Sequence, residues 1–236
     1  HKLLCRMYVR KNMRKERIME QNKSQQYEDR QIAKSNGGDV LIEFQDSLNY
    51  GETKRIHGKY SLIKIVMCNY KNKDTTGSIT VKHYVDPDFI KYLLSLFYAN
   101  KDKVYITQDK IHSGIDEKTG LSHVSKLLIA RQPVRNDGSI ARMPWYVKIE
   151  EGTGKQAKNM KTGGVYIASG SYKKEKEAAI NMTDEDFFIM LEKCRSYIER
   201  FEHEGMIRRV LVGALSNVLG TINKLFKSYF SLITKN

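Results

Sequence analysis

Twice along the chain, apolar residues pass from alternating to helical spacing within a few positions. In the later instance Ala178, Ile180 and Met182 alternate, and Thr183-Asp184-Glu185-Asp186 then opens a helix. Thr183 carries the hydroxyl of an N-cap. Asp186 stands at the third helical position, where a carboxylate answers both the cap and the helix dipole. Phe187, Met190, Leu191, Cys194, Ile198 and Phe201 follow at spacings of three and four, which predicts one apolar stripe. The earlier instance is the strand Ser78 to Tyr84 running into Asp86-Pro87-Asp88. Asp86 is the expected N-cap, and Pro87 fits the first helical position, where its missing N–H costs nothing. Asp86, Asp88, Phe89 and Leu93 match Asp184, Asp186, Phe187 and Leu191 at one constant offset, which predicts a repeated unit. That register sets Lys82 and Tyr84 against Ile180 and Met182, so it requires a bulge or a one-residue slip in one of the strands.

The rest of the pattern fills in around these junctions. Val40 to Phe44 and Lys59 to Tyr70 read as strands, the second rich in β-branched residues, with a polar turn at 72–77 before Ser78. Val104 to Ile106, Val124 to Arg131, Arg142 to Glu150 and Val165 to Ala168 form a second block of strands, with a turn at Arg135-Asn136-Asp137-Gly138. Gly152 to Gly164 and Gly170 to Glu177 read as basic loops. The expected organisation is a basic and polar arm over 1–37, a β-sheet/helix domain over 38–202 and an amphipathic helix over 203–236. Its fold class is α+β: two antiparallel sheets, each followed by a helix, plus the C-terminal helix.

Composition narrows the function. The chain of 236 residues is 40% hydrophobic, enough for a packed core, and its formal charge is +14. That balance suits a polyanion. Residues 1–18 hold seven Lys/Arg against Glu16. They read either as an arm that touches phosphates or as sequence upstream of a start at Met19, since codons for 14–18 can spell a purine-rich ribosome-binding sequence. Three widely spaced cysteines, Cys5, Cys68 and Cys194, point to a reduced cytoplasmic protein rather than to disulfides or zinc. No apolar run reaches the length of a membrane span. Lys-, Asn- and Ile-rich usage suits an AT-rich genome, such as that of a mobile element or phage.

Catalytic patterns fail one by one. Gly154-Lys155 lacks the Walker spacing, because Ile149 and Gln156 stand where Gly and Ser/Thr are needed. The six histidines show no metal spacing, and no Ser or Cys sits in a nucleophile elbow. The reading is non-enzymatic, without cofactor or metal. What remains is Lys and Arg interleaved with rings on strands. Trp145, Val147 and Ile149 share one face; Arg142, Tyr146 and Lys148 share the other. Single strands are held by cations on phosphates and rings under bases. The candidate contacts are Lys59, Lys64, Lys82, Tyr84, Lys126, Arg131, Arg142, Trp145, Tyr146, Lys148, Lys161, Tyr166, Tyr172 and Lys173.

Residues 38–202 resemble the Whirly family of plant single-stranded DNA-binding proteins, and the kinetoplastid mitochondrial RNA-binding proteins of the same fold. Gly58-Lys59-Tyr60-Ser61-Leu62 is similar to that family's Lys-Gly-Lys-Ala-Ala-Leu strand, with His57 in place of the first Lys. Ser125 to Glu150, with its Asp137-Gly138 turn, and the Ala179 to Leu191 junction carry the rest. The resemblance implies two sheets packed crosswise, homotetramers and sequence-tolerant single-strand binding along sheet edges. The expected partner is therefore single-stranded DNA, with the chain as a homo-oligomer. The open alternatives are an RNA-binding or annealing factor, a membrane-surface protein acting through 204–236, and an inhibitor or scaffold without nucleic-acid binding.

Overall fold

The computed structural model describes residues 30–48, 61–71, 77–112 and 114–233. The chain is α+β. Four strands, β1 (Gln31–Asn36), β2 (Val40–Ser47), β3 (Leu62–Asn69) and β4 (Ile79–Val85), form an antiparallel sheet in sequential order. Helix α1 (Pro87–Tyr98) follows. A second antiparallel sheet has the order β10-β7-β6-β5, built from β5 (Val104–Ile111), β6 (Ser122–Arg131), β7 (Trp145–Gly154) and β10 (Lys173–Met182). Between β7 and β10 the chain makes a small hairpin of β8 (Gln156–Lys158) and β9 (Val165–Ile167). Helix α2 (Asp184–Ile233) ends the described chain.

Alternation sets which face of each sheet is covered. Ile63, Ile65 and Met67 of β3 point inward with Ile42 and Phe44 of β2 and with Val81, His83 and Val85 of β4; all are buried. Leu127 and Ile129 of β6, Val147 and Ile149 of β7, and Ala178 and Ile180 of β10 line the facing layer. Strand β4 touches β10, β7 and β6, while β10 touches β4, β3 and β2, so each of these edge strands runs across the other sheet. Close approach shapes one corner. A Cβ on Gly152 would stand 2.1 Å from the carbonyl oxygen of Lys173, beside the bulge between Lys174 and Lys176.

Both helix starts follow the sequence reading, with one difference. The Asp186 amide donates to Thr183 Oγ1 at 3.0 Å, and that hydroxyl donates to the Asp186 carboxylate at 2.7 Å. Asp86 occupies the N-cap position ahead of Pro87, but its side chain makes no capping bond. The two N-cap positions, Asp86 and Thr183, lie 97 residues apart, whereas Asp86 and Asp184, aligned in the sequence reading, lie 98 apart. At 97 the buried residues coincide: Val81 with Ala178, His83 with Ile180, Val85 with Met182, Ile90 with Phe187, Leu93 with Met190 and Leu94 with Leu191. At that spacing the strand faces agree without a bulge or slip.

Several boundaries differ from the sequence reading; β5, expected over 104–106, runs on to Ile111. Residues 31–36, placed in the arm, form edge strand β1, whose backbone is paired by β2 despite a mostly polar sequence. The basic loop 152–164 contains the end of β7 and all of β8. The basic turn 170–177 is largely strand, since β10 begins at Lys173. The helices expected over 183–201 and 203–236 are, as far as Ile233, one continuous α2; residues 234–236 lie outside the described residues.

Candidate nucleic-acid interface

The fourteen candidate residues separate into groups once the faces are known. Lys64, Lys82 and Tyr84 come together on the outer face of the first sheet: Lys64 pairs directly with Tyr84 across β3 and β4, and Lys82 pairs with Val66 one step along. Partial burial lowers the Lys64 pKa, and the cations of Lys82 and Arg30 lower it further against the opposing pull of Glu43. Crowded positive charge of this kind is relieved by a bound anion.

The ring of Tyr84 leans on His112, with centroids 5.6 Å apart. His112 directly follows the last residue of β5, Ile111, which lines a shallow groove of about 470 Å³ with Asp109, Lys110, Gln156, Val165, Tyr166 and Ile167. Tyr166 is half exposed on β9. The arm that carries it is unusual in charge. From Gly152 to Lys174 there are five lysines and no Asp or Glu. Lys155, Lys158 and Lys161 are exposed, and none has an ion-pair partner among the described residues. Lys173 is also exposed, at the start of β10.

The outer face of the second sheet is different. Lys126 pairs with Asp109 at 3.1 Å, and Lys148 with Glu150 at 2.5 Å. The Glu150 hydrogen bond raises the Lys148 pKa. Tyr146 lies partly open on this face beside Asn181 and Ala130. The Lys126 ammonium stands 4.5 Å from the centre of the Tyr172 ring. Burial first, then neighbouring carboxylates, push the Tyr172 hydroxyl up to about 12. Cations here are already answered by acids, so the face is closer to neutral than the arm.

Two candidates are structural. Trp145 is 1% exposed, stacked on Phe97 at 4.8 Å and packed on Phe187, so no base reaches its ring. Its indole N–H donates to Asp184 at 2.7 Å. Arg131 grips the same carboxylate and donates to the carbonyls of Lys101 and Asp102, which leaves no free fork for a phosphate. Arg142 is exposed but lies in the loop before β7 rather than on its outer face. Lys59 lies outside the described residues.

A polar cluster went unread in the sequence. Buried His83 shares a 2.7 Å hydrogen bond with Ser125, whose hydroxyl also meets His112 at 2.5 Å. Burial, then the neighbouring His112 and Lys110, lower the His83 pKa to about 3; burial and His123 lower that of His112 to about 4. Buried Glu151 accepts the Lys82 amide at 2.5 Å and meets Lys176 at 3.0 Å and His123 at 3.3 Å. Burial pushes its carboxyl up, but these donors and cations outweigh it and hold it below the usual range. Only contacts between strands distant in sequence assemble this cluster. No group of side chains among the described residues has the makeup of a metal site.

Comparison with known proteins returned no matching family model, curated protein or solved structure.

Proposed function

We propose that the chain binds single-stranded nucleic acid, DNA foremost, with little dependence on sequence. The two sheet-and-helix units are read as a Whirly-like pseudo-repeat. Support for the repeat comes from the shared 97-residue offset of the two caps and of six buried pairs.

One observation carries the binding reading. The cationic pair Lys64 and Lys82 and the ring of Tyr84 connect through His112 and the end of β5 to the groove at Tyr166 and the acid-free arm. Lys64, Lys82, Lys155, Lys158 and Lys161, none in an ion pair among the described residues, lie there with two accessible rings, which is the arrangement that holds phosphates and stacks bases; Lys174, at the end of the arm, is already paired with Glu177. Lys126 and Lys148 contribute less, because Asp109 and Glu150 already neutralise them.

The test is fluorescence anisotropy with labelled single-stranded and duplex oligonucleotides across a salt series. Tighter binding to the single strand is expected, with log K falling linearly in log salt. Equal or better duplex affinity overturns the reading. Competition by an RNA strand of the same sequence decides between DNA and RNA.

A further inference from the structure

Beyond the strands, one apolar surface calls for a partner. On the C-terminal part of α2, Ile207, Leu211, Leu215, Val218 and Ile222 recur at spacings of three and four and so share one side of the helix. They are 42–67% exposed along with their neighbours Val210 and Leu219. A stripe of this length left in water is a docking surface.

Charge selects the occupant. From Gly205 to Asn236 there is no Asp or Glu, while Arg208, Arg209, Lys224, Lys227 and Lys235 are basic. A second copy of this stretch would bring five more cations and no carboxylate, so it lacks the opposite-charge pairs that flank helix–helix seams. An anionic bilayer supplies both missing parts: an apolar layer for the stripe and negative headgroups for the cations. Among the remaining positions, Gly213, Ser216, Asn217, Gly220, Thr221 and Asn223 are small and uncharged, which suits a helix lying in the headgroup layer. No helix among the described residues is long and apolar enough to cross a membrane, so the mode is lying on the surface, not spanning it. We propose that this part of α2 docks along an anionic lipid surface. The proposal is independent of the nucleic-acid reading.

Flotation of the full chain with vesicles tests it. Vesicles of phosphatidylglycerol and phosphatidylcholine in equal parts are compared with phosphatidylcholine alone, for the native chain and for the double variant Leu215→Glu, Ile222→Glu. Both positions are exposed, so the variant is expected to fold, which far-UV circular dichroism verifies. The native chain is expected to float with the anionic vesicles and to do so roughly tenfold less with the neutral ones, as headgroup attraction is lost. The variant is expected to stay at the bottom. Three results overturn the proposal: no flotation of the native chain, equal flotation of the variant, or equal flotation with both lipids. A lipid-free oligomer that the variant dissolves, combined with failure to float, assigns the stripe to a second copy instead.

Discussion

Arg131 and Asp184 form a two-point ion pair, Nε to Oδ1 at 2.9 Å and Nη2 to Oδ2 at 3.0 Å. The same carboxylate accepts the Trp145 indole N–H, so one residue at the start of α2 ties down the ends of β6 and β7. Fork-to-fork geometry of this kind is the strong form of the ion pair. Arg131→Ala is expected to lower unfolding stability by about 2 kcal/mol, because Asp184 loses its main partner. Oligonucleotide affinity of the folded fraction should stay within about twofold, since Arg131 offers no free fork to phosphate. Urea unfolding and anisotropy on the same preparation check both halves.

Acid should unfold the protein in two overlapping stages. His83 and His112 have folded pKa values below the ordinary histidine value, so between about 6.5 and their folded values the unfolded chain binds more protons. Stability therefore rises with pH through that window and is lost as pH falls through it, at about 1.4 kcal/mol per pH unit for the buried His83. The depressed carboxyls of Glu151 and Asp184 add losses of the same sign once the pH drops below their unfolded pKa values. Unfolding free energies between pH 7 and pH 4 should show this slope, and His83→Gln should flatten it.

Tyr84→Ala and Tyr166→Ala should each weaken single-strand binding by about 1–3 kcal/mol, the loss of one stacked base. A Lys64→Ala, Lys82→Ala double variant should lower the steepness of the salt dependence by roughly 1 to 2 in the log–log slope. Lys126→Ala and Lys148→Ala, whose cations are already paired, should change it far less. Equal effects from the two sets of lysines would move the interface to the second sheet.

Gly152→Ala should cost about 2–3 kcal/mol, since the added Cβ meets backbone rather than a side chain that can turn away. The measurement is the shift of the thermal midpoint. An unshifted midpoint would mean that β10 moves aside freely at its bulge.

The positions of Thr183, Asp186 and Pro87 were legible without coordinates, because a cap or a missing N–H acts within one helical turn. So were the strand faces. Trp145, Val147 and Ile149 alternate with Tyr146 and Lys148 in the sequence as they do in β7. Alternation separates two faces but does not say which one another layer will cover. Trp145 and Tyr146 therefore read alike as stacking rings until Phe97 and Phe187 of the two helices closed over one of them.

Much of the candidate interface was hidden for the same reason. Nothing near Arg131 in sequence announces Asp184, 53 residues away, and Lys126 reads as a free cation until β5 supplies Asp109; only Glu150, two residues from Lys148 on the same strand, was within local reach. Strand β1 escaped notice because its partner β2, not its own composition, holds it in the sheet. The sequence by itself determined local periodicity, helix starts and the surplus of positive charge. Tertiary structure decided which cations are neutralised and which rings are buried, because pairing and burial depend on neighbours that arrive from elsewhere in the chain.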